Sequence, residues 1–190
     1  MTLTPGTLLL ARPFLGDPNF ERTVVLICRH DDDEGTFGLV LNRLTELVLP
    51  DVLPFLDTDV PGVAAPLPLA MGGPVQQNSL HYIHRLADLP EAIALGENSG
   101  VFWGGDFDAL TEEVQAGRLT PANARFFVGY SGWAVGQLAE EISRETWVVR
   151  KDAAAKVFTF DPELLWQGVL REMGGRYRLL ANYPIDPSLN

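Results

Sequence analysis

The sequence predicts one acidic domain of the α/β type, which contains both β-strands and helices. Its 190 residues are an ordinary length for one domain, and no linker or internal repeat divides them. Hydrophobic residues make up 46% of the chain and charged residues 21%, which allows a full apolar core. Short β-branched runs and three segments of helical periodicity supply the elements. We therefore expect residues 1–190 to form a single domain.

The N-terminal part predicts strands. The first is Thr7–Ala11, which Arg12-Pro13 stops. The apolar, β-branched run Thr23–His30 is typical of a strand buried on both faces. Phe37–Asn42 returns after a short polar loop, so these two segments are predicted to form an antiparallel hairpin.

The middle of the chain predicts short elements. The Pro-rich segment 44–68 leaves room for little more than a short helix over Asp51–Leu56. Strands are predicted over Leu67–Met71, Leu80–Leu86 and Val101–Trp103.

Two helices have clear start and stop signals. Asp106–Ala116 has acidic residues in its first turns and is followed by glycine. Asp161-Pro162-Glu163 opens another helix, with an N-cap residue and a proline at the first helical position. Gly174-Gly175 is predicted to end that helix.

The segment 129–133, Gly-Tyr-Ser-Gly-Trp, lies between a strand predicted over Arg125–Tyr130 and a helix predicted over 134–142. A serine at such a turn could be a nucleophile, with helix-start amides stabilising an oxyanion. The nucleophile elbow requires glycine on both sides, however, and Trp133 occupies the second position. The favoured alternative is that Ser131 caps the following helix.

The net charge and the positions of the histidines and the cysteine argue against several other functions. With 14 Lys and Arg against 25 Asp and Glu, the net charge is −11, which disfavours direct binding to nucleic acid. His81 and His84 are three apart on a predicted strand, where they point to opposite faces and cannot readily share a metal ion. Cys28 lies within an apolar run and is predicted to be a buried structural residue. We predict no metal and no cofactor.

The chain is expected to be a cytoplasmic protein. A single cysteine precludes an internal disulfide, and the first fifteen residues lack the basic leader and apolar region of a signal peptide. The long uncharged stretch 60–84 contains four prolines, which an uninterrupted membrane helix would not tolerate. No membrane association is predicted.

Several glycine and polar segments fall at the ends of predicted strands, where open sheets often form binding clefts. We predict that these segments share one small cleft; the alternative is that they are unconnected turns. The candidate residues are Asn42, Arg43, Gly72, Gly73, Pro74, His84, Tyr130, Ser131, Gly132, Trp133 and Gln137.

The same segments resemble the AlgH/YqgE family of small bacterial proteins. The resemblance extends from about Gly6 to the third helix, and its most specific part is the block Gly-Tyr-x-Gly-Trp-x-x-Gly-Gln-Leu over 129–138, followed by Glu141. Leu44, Arg29 and Ala139 depart from the residues usual in the family. Other matching segments are Asp17-Pro18-Asn19-Phe20, Arg22-Thr23-Val24-Val25, Cys28, His30, Gly38, Asn42, Gly72-Gly73-Pro74-Val75 and His84.

This resemblance implies a single-domain α+β fold with a bifurcated mixed β-sheet, partly closed into a small barrel and flanked by about three main helices. It implies no established enzyme activity; the family is associated with transcriptional regulation. For an acidic chain, indirect regulation through an unknown protein partner or small ligand is the favoured interpretation. The alternative is an undiscovered hydrolase that uses Ser131 or His84.

Overall fold

The computed structural model describes residues 3–52, 66–151 and 153–184. Within these residues the chain forms a mixed α+β fold built on one large, mostly antiparallel sheet. The strands are β1 Leu8–Ala11, β2 Val24–Asp31, β3 Gly35–Val40, β4 Leu44–Val48, β5 Pro68–Met71, β6 Val75–His84, β7 Ile93–Ala94, β8 Phe102–Trp103, β9 Ala124–Trp133 and β10 Trp147–Arg150. The helices are α1 Leu49–Val52, α2 Phe107–Gln115, α3 Gln137–Ser143, α4 Pro162–Met173 and α5 Gly175–Leu180, with a 3-10 helix at Ala154–Phe158.

The predicted β2–β3 hairpin is present, with Val25 opposite Val40 and Asp31 opposite Gly35. Val24 to Cys28 is buried without interruption, as expected of a strand that is covered on both faces. Alternate residues of the sheet contribute to different core clusters, since successive strand side chains point to opposite faces. One face packs against α4, and the other packs against α2 and α3.

The sheet forks at β9. One edge of β9 pairs with β6, whereas the other edge pairs with β3 along its C-terminal part and, in parallel, with β5 along its N-terminal part. The expected bifurcation is therefore present, but the expectation of a partly closed barrel is wrong. Because β9 shares one edge between two partners, the sheet divides into arms, and the end strands β10 and β7 of the described chain do not pair with each other.

The predicted helices at 106–116 and 161–173 are present as α2 and α4. Asp106 caps α2 by accepting a hydrogen bond from the Ala109 amide at 2.8 Å, and Asp161 caps α4 by accepting one from the Glu163 amide at 3.0 Å. Side-chain caps of this kind satisfy amides that have no partner within the helix. Because the capping residues are local in sequence, the starts of both helices can be predicted from the sequence.

The helix predicted over 134–142 begins later, because β9 does not end at Tyr130. β9 continues to Trp133 and pairs with β3, with Phe37 opposite Gly132 and Gly38 opposite Ser131. Gly136 then adopts a left-handed conformation, with φ +77°, immediately before α3. The predicted strand-to-helix turn at Ser131-Gly132 is consequently a continuous strand.

The segment 44–68 contains more regular structure than its prolines suggested, since β4 pairs antiparallel with β5. The helix predicted over Asp51–Leu56 is represented by α1, which begins and ends earlier; positions 53–56 lie outside the described residues. β10 was not predicted from the sequence and pairs with β1. In the described part of the chain, no helix has the length and apolarity to cross a membrane.

Candidate functional site

Ser131 is not placed as a nucleophile. It is buried within β9, and its hydroxyl donates a hydrogen bond to the Gly72 carbonyl oxygen at 3.1 Å. The preceding cap prediction is also wrong, because Ser131 lies five residues before Gly136, the residue that flanks α3. The N-cap residue of α3, Gly136, makes no side-chain capping hydrogen bond, and Gln137 Oε1 instead accepts a hydrogen bond from the Ala134 N–H, in the turn before the helix, at 3.0 Å.

His84 is buried with both ring nitrogens engaged. Nδ1 accepts a hydrogen bond from the Leu86 N–H at 3.1 Å, so the ring proton lies on Nε2, which donates to the Gly104 carbonyl at 2.8 Å. The ring also stacks on Phe102, with centroids 5.9 Å apart. Burial lowers the pKa of His84, which keeps the ring neutral at physiological pH. His84 therefore presents no free nitrogen for acid–base chemistry.

His81 lies on the other face of β6. Its ring meets Phe37 and Tyr130 edge-on, and its Nε2 is 3.0 Å from the Ser79 hydroxyl, which itself donates to the Gln76 carbonyl. Burial lowers the pKa of His81 as well. Among the described residues, no cluster of three or more His, Cys, Asp or Glu side chains is arranged to hold a metal ion.

Asn42 and Arg43 anchor the loop between β1 and β2. Asn42 accepts a hydrogen bond from the Val24 amide at 2.8 Å and donates to the Arg22 carbonyl at 2.9 Å. The Arg43 guanidinium donates to the Glu21 carbonyl at 2.7 Å. These contacts use the functional atoms of Asn42 and the guanidinium of Arg43 to position the chain.

Gly72 and Gly73 allow β9 to pass close to the turn between β5 and β6. A Cβ atom at Gly72 would overlap the Gly129 carbonyl oxygen, and one at Gly73 would overlap the Tyr130 carbonyl group. Gly72 also bridges strands, since its carbonyl accepts from the Val40 amide and its own amide donates to Val128. The two glycines are required by this close approach of backbones.

The block 129–141 builds a polar network under α3. The indole Nε1 atoms of Trp133 and Trp147 both donate to Oε2 of Glu141, at 2.9 and 2.7 Å. Gln137 donates from Nε2 to Oε1 of the same carboxylate at 3.0 Å. Phe20 packs on both indoles, with ring centroids 6.1 Å from Trp133 and 5.6 Å from Trp147. The carboxylate thus links α3 to β9 and β10.

A groove of about 310 Å³ lies over this network, and we call it the tryptophan groove. Four predicted cleft residues line it, namely Pro74, Gly132, Trp133 and Gln137. The groove contains two carboxylates, Asp17 and Glu141, and no basic side chain among its lining residues. The other lining residues are Leu15, Phe20, Val75, Thr146 and Trp147.

The remaining candidates do not line the tryptophan groove. Tyr130 is half-buried on the opposite face of β9, where it stacks on Phe37 with ring centroids 4.6 Å apart. Asn42, Arg43 and His84 have the structural contacts described above, and Gly72, Gly73 and Ser131 are buried. The eleven predicted residues therefore do not form one common cleft.

Sequence reasoning missed Phe20, Thr146 and Trp147 as groove residues. Glu141 stands four positions after Gln137, a spacing that places both on one face of a helix and that could have signalled their contact. No sequence pattern relates Trp147 to Trp133, because they are joined through pairing of distant strands.

Comparison with known proteins places this fold in a family. The AlgH-like family model matches residues 8–178. The chain belongs to the AlgH-like family. It is 43% identical to a UPF0301 protein of Cytophaga hutchinsonii over 190 residues, covering 99% of this chain and 100% of the relative, and 41% identical to one of Chlorobium limicola over 190 residues, covering 99% and 96%.

Two solved structures show the same AlgH-like fold. The crystal structure of protein DIP2367 from Corynebacterium diphtheriae aligns with a TM-score of 0.75 at 27% identity, covering 96% of this chain and 94% of that one. The solution structure of the AlgH protein from Pseudomonas aeruginosa aligns with a TM-score of 0.71 at 29% identity, covering 97% of both chains.

Proposed function

We propose that this AlgH-like chain is a non-catalytic binding domain and that the tryptophan groove is its ligand site. The observation that carries the proposal is the convergence of Pro74, Gly132, Trp133 and Gln137 on one groove. Aromatic walls with a few polar groups are typical of small-molecule sites. Because the groove has two carboxylates and no basic residue, a neutral or cationic organic ligand matches its chemistry better than an anion does.

Regulation by this domain would be indirect. A chain of net charge −11 is poorly suited to neutralise DNA phosphates. We propose that ligand occupancy of the groove changes the contacts of the exposed surface around α3 with a protein partner. Under this proposal, regulation depends on ligand binding alone and requires no catalytic residue.

The alternative function is hydrolysis through Ser131 or His84. Its geometry is unfavourable, because the Ser131 hydroxyl is buried and bonded to Gly72, and both His84 nitrogens are bonded to backbone groups. Incubation with a serine-reactive fluorophosphonate, followed by intact-mass measurement, tests this alternative. We expect no adduct; an adduct on Ser131 would overturn the non-catalytic proposal.

The groove is tested by identifying what it holds. Native mass spectrometry of protein purified from its own cells would reveal small molecules that co-purify. In parallel, neutral and cationic aromatic fragments are titrated while the four indole N–H resonances are followed by NMR. A groove ligand should shift the signals of Trp133 and Trp147, whereas that of Trp166, which donates to the Ala11 carbonyl at 2.8 Å elsewhere in the core, should not move.

A matched pair of variants on α3 completes the test. Gln137→Ala removes a lining side chain and should weaken binding of a fragment that shifts both indoles. Glu140→Ala lies on the same helix outside the groove and should leave binding unchanged. Equal binding by both variants, or a screen in which neither indole responds, would refute the groove as the ligand site.

A further inference from the structure

A second and more apolar cavity lies at the start of β9, away from the tryptophan groove, and we call it the Arg125 pocket. Its volume is about 450 Å³, within the range of pockets that hold small organic ligands. Most of its lining residues are apolar, among them Leu41, Ala70, Phe126, Phe158 and Phe160. The remaining lining residues are Leu44, Pro68, Pro121, Ala122, Ala124, Arg125, Thr159, Asp161 and Pro162.

Arg125 supplies the positive charge among the lining residues of this pocket, and not all of its guanidinium N–H groups donate hydrogen bonds. Nη2 donates to the Phe160 carbonyl at 3.1 Å, and the guanidinium lies 5.5 Å from the ring centroid of Phe158. Nη1 is shielded from solvent and has no hydrogen-bond partner among the described residues. Buried donors are nearly always satisfied in folded proteins, so an orphaned guanidinium nitrogen calls for an explanation.

Arg125 forms no ion pair within the described part of the chain. Among the described residues, no carboxylate oxygen lies within 4.0 Å of its guanidinium, although the chain carries an excess of eleven negative charges. Asp161 is near, but one of its oxygens caps α4 by accepting from the Glu163 amide. Burial lowers the pKa of Arg125, and the charge of Asp161 opposes that effect. The guanidinium nevertheless stays protonated at neutral pH, because an arginine side chain does not lose its proton in proteins.

We propose that the Arg125 pocket binds a small organic carboxylate with an apolar body. The carboxylate would accept a charge-assisted hydrogen bond from Nη1 and neutralise the guanidinium, while the apolar body would lie against the apolar lining residues Ala70, Phe158 and Phe160. Binding requires the guanidinium to turn so that Nη1 faces the cavity. The ligand class differs from that proposed for the tryptophan groove, so the two sites fail or succeed independently.

The probe series consists of octanoate, 1-octanol and octylammonium, which each contain eight carbon atoms and carry a negative, a neutral and a positive head group. Isothermal titration calorimetry with the full chain should give octanoate an affinity about tenfold higher or more than that of octanol. Octylammonium should bind more weakly than either, because its charge repels the guanidinium. In NMR spectra, octanoate should shift the amide signals of Arg125 and Phe160 and leave the indole signals of Trp133 and Trp147 in place.

Two variants separate the charge from the cavity. Arg125→Met should weaken octanoate binding by roughly 10- to 100-fold and leave octanol binding unchanged. Ala122→Trp introduces a large ring at an exposed lining position and should abolish binding of both probes. Because it leaves Arg125 in place, this variant also tests the pocket if Arg125→Met folds poorly.

Three results would overturn the proposal. Octanoate and octanol could bind the native chain equally, which would reduce the pocket to an apolar cavity. Octanoate could bind Arg125→Met as tightly as the native chain. Octanoate could also fail to shift the Arg125 and Phe160 signals at millimolar concentration.

Discussion

The indole N–H of Trp133 and the carboxylate of Glu141 are hydrogen-bonded at 2.9 Å, which joins the last residue of β9 to the middle of α3. The same carboxylate oxygen accepts from Trp147 on β10. Both indoles are almost fully buried, so their N–H groups depend on this one acceptor. The block 129–138, together with Glu141, therefore contributes to the packing of α3 against the sheet. The tryptophan groove depends on this packing, because the hydrogen-bond network holds α3 in place.

Replacement of Glu141 by alanine is expected to destabilise the fold. The change leaves two buried indole N–H groups without an acceptor, and we expect the free energy of unfolding to fall by about 2–3 kcal/mol. Urea denaturation followed by tryptophan fluorescence measures this loss. Glu140→Ala, which removes only the exposed ion pair with Arg144, should cost no more than about 0.5 kcal/mol. Similar losses in the two variants would show that the network contributes little.

Gly72→Ala tests the close approach of the β5–β6 turn to β9. Its Cβ would overlap the Gly129 carbonyl oxygen, and backbone atoms can give way only if the strands separate. We expect a loss of about 3 kcal/mol or more in unfolding free energy, or failure to fold. Gly117→Ala is the control, because no atom lies within 4 Å of the added carbon and only its φ of +67° is unfavourable. That variant should lose about 1 kcal/mol. A Gly72→Ala protein as stable as Gly117→Ala would contradict the packing described.

Local signals explain what was predictable from the sequence. The β2–β3 hairpin follows from two apolar runs joined by a short polar loop, and α2 and α4 follow from Asp106 and Asp161, whose side chains cap the helices within a few residues of themselves. Each of these features is decided by neighbours in the chain. Family resemblance added the branched sheet, which no local pattern indicates.

The predicted cleft failed where contacts between distant segments decide the structure. The sequence predicts a turn at Ser131-Gly132, between a strand and a helical pattern, but pairing of β9 with β3 extends the strand through both residues. The true break is at Gly136, where the chain turns before α3. Tyr130 and Trp133 consequently face opposite sides of the sheet, a division that depends on strand register and cannot be read from glycine positions.

Cys28 should be unreactive in the folded protein. It is buried within β2, and burial raises the pKa of its thiol well above the ordinary value, so almost no thiolate is present at neutral pH. We expect no measurable reaction with Ellman's reagent under native conditions and stoichiometric release of thionitrobenzoate in concentrated urea. The reaction rate at intermediate urea should follow the unfolded fraction. Rapid native labelling would show that β2 opens locally.

Stability should fall as the solution is acidified below neutral pH, and His84 should account for part of this dependence. Burial lowers the pKa of His84 in the folded state, whereas the unfolded ring has a pKa of about 6.5. Below that value the unfolded chain binds a proton that the folded chain does not, so unfolding is favoured progressively until the folded pKa is reached. The stabilisation is fully present above about pH 6.5, and the maximum slope is about 1.4 kcal/mol per pH unit for one group.

His84→Phe tests this assignment, since it keeps an aromatic ring beside Phe102 and removes the titrating group. The variant should be less stable at pH 7, because the Gly104 carbonyl and the Leu86 amide lose their partner, but its stability should depend less steeply on pH between 7 and 5. His81→Phe is the matched comparison, since burial lowers the pKa of that ring too. NMR titration of the His84 ring provides the direct measurement. A folded-state pKa at or above 6.5, or an unchanged slope in His84→Phe, would refute the neutral, doubly bonded ring and with it the structural role of His84.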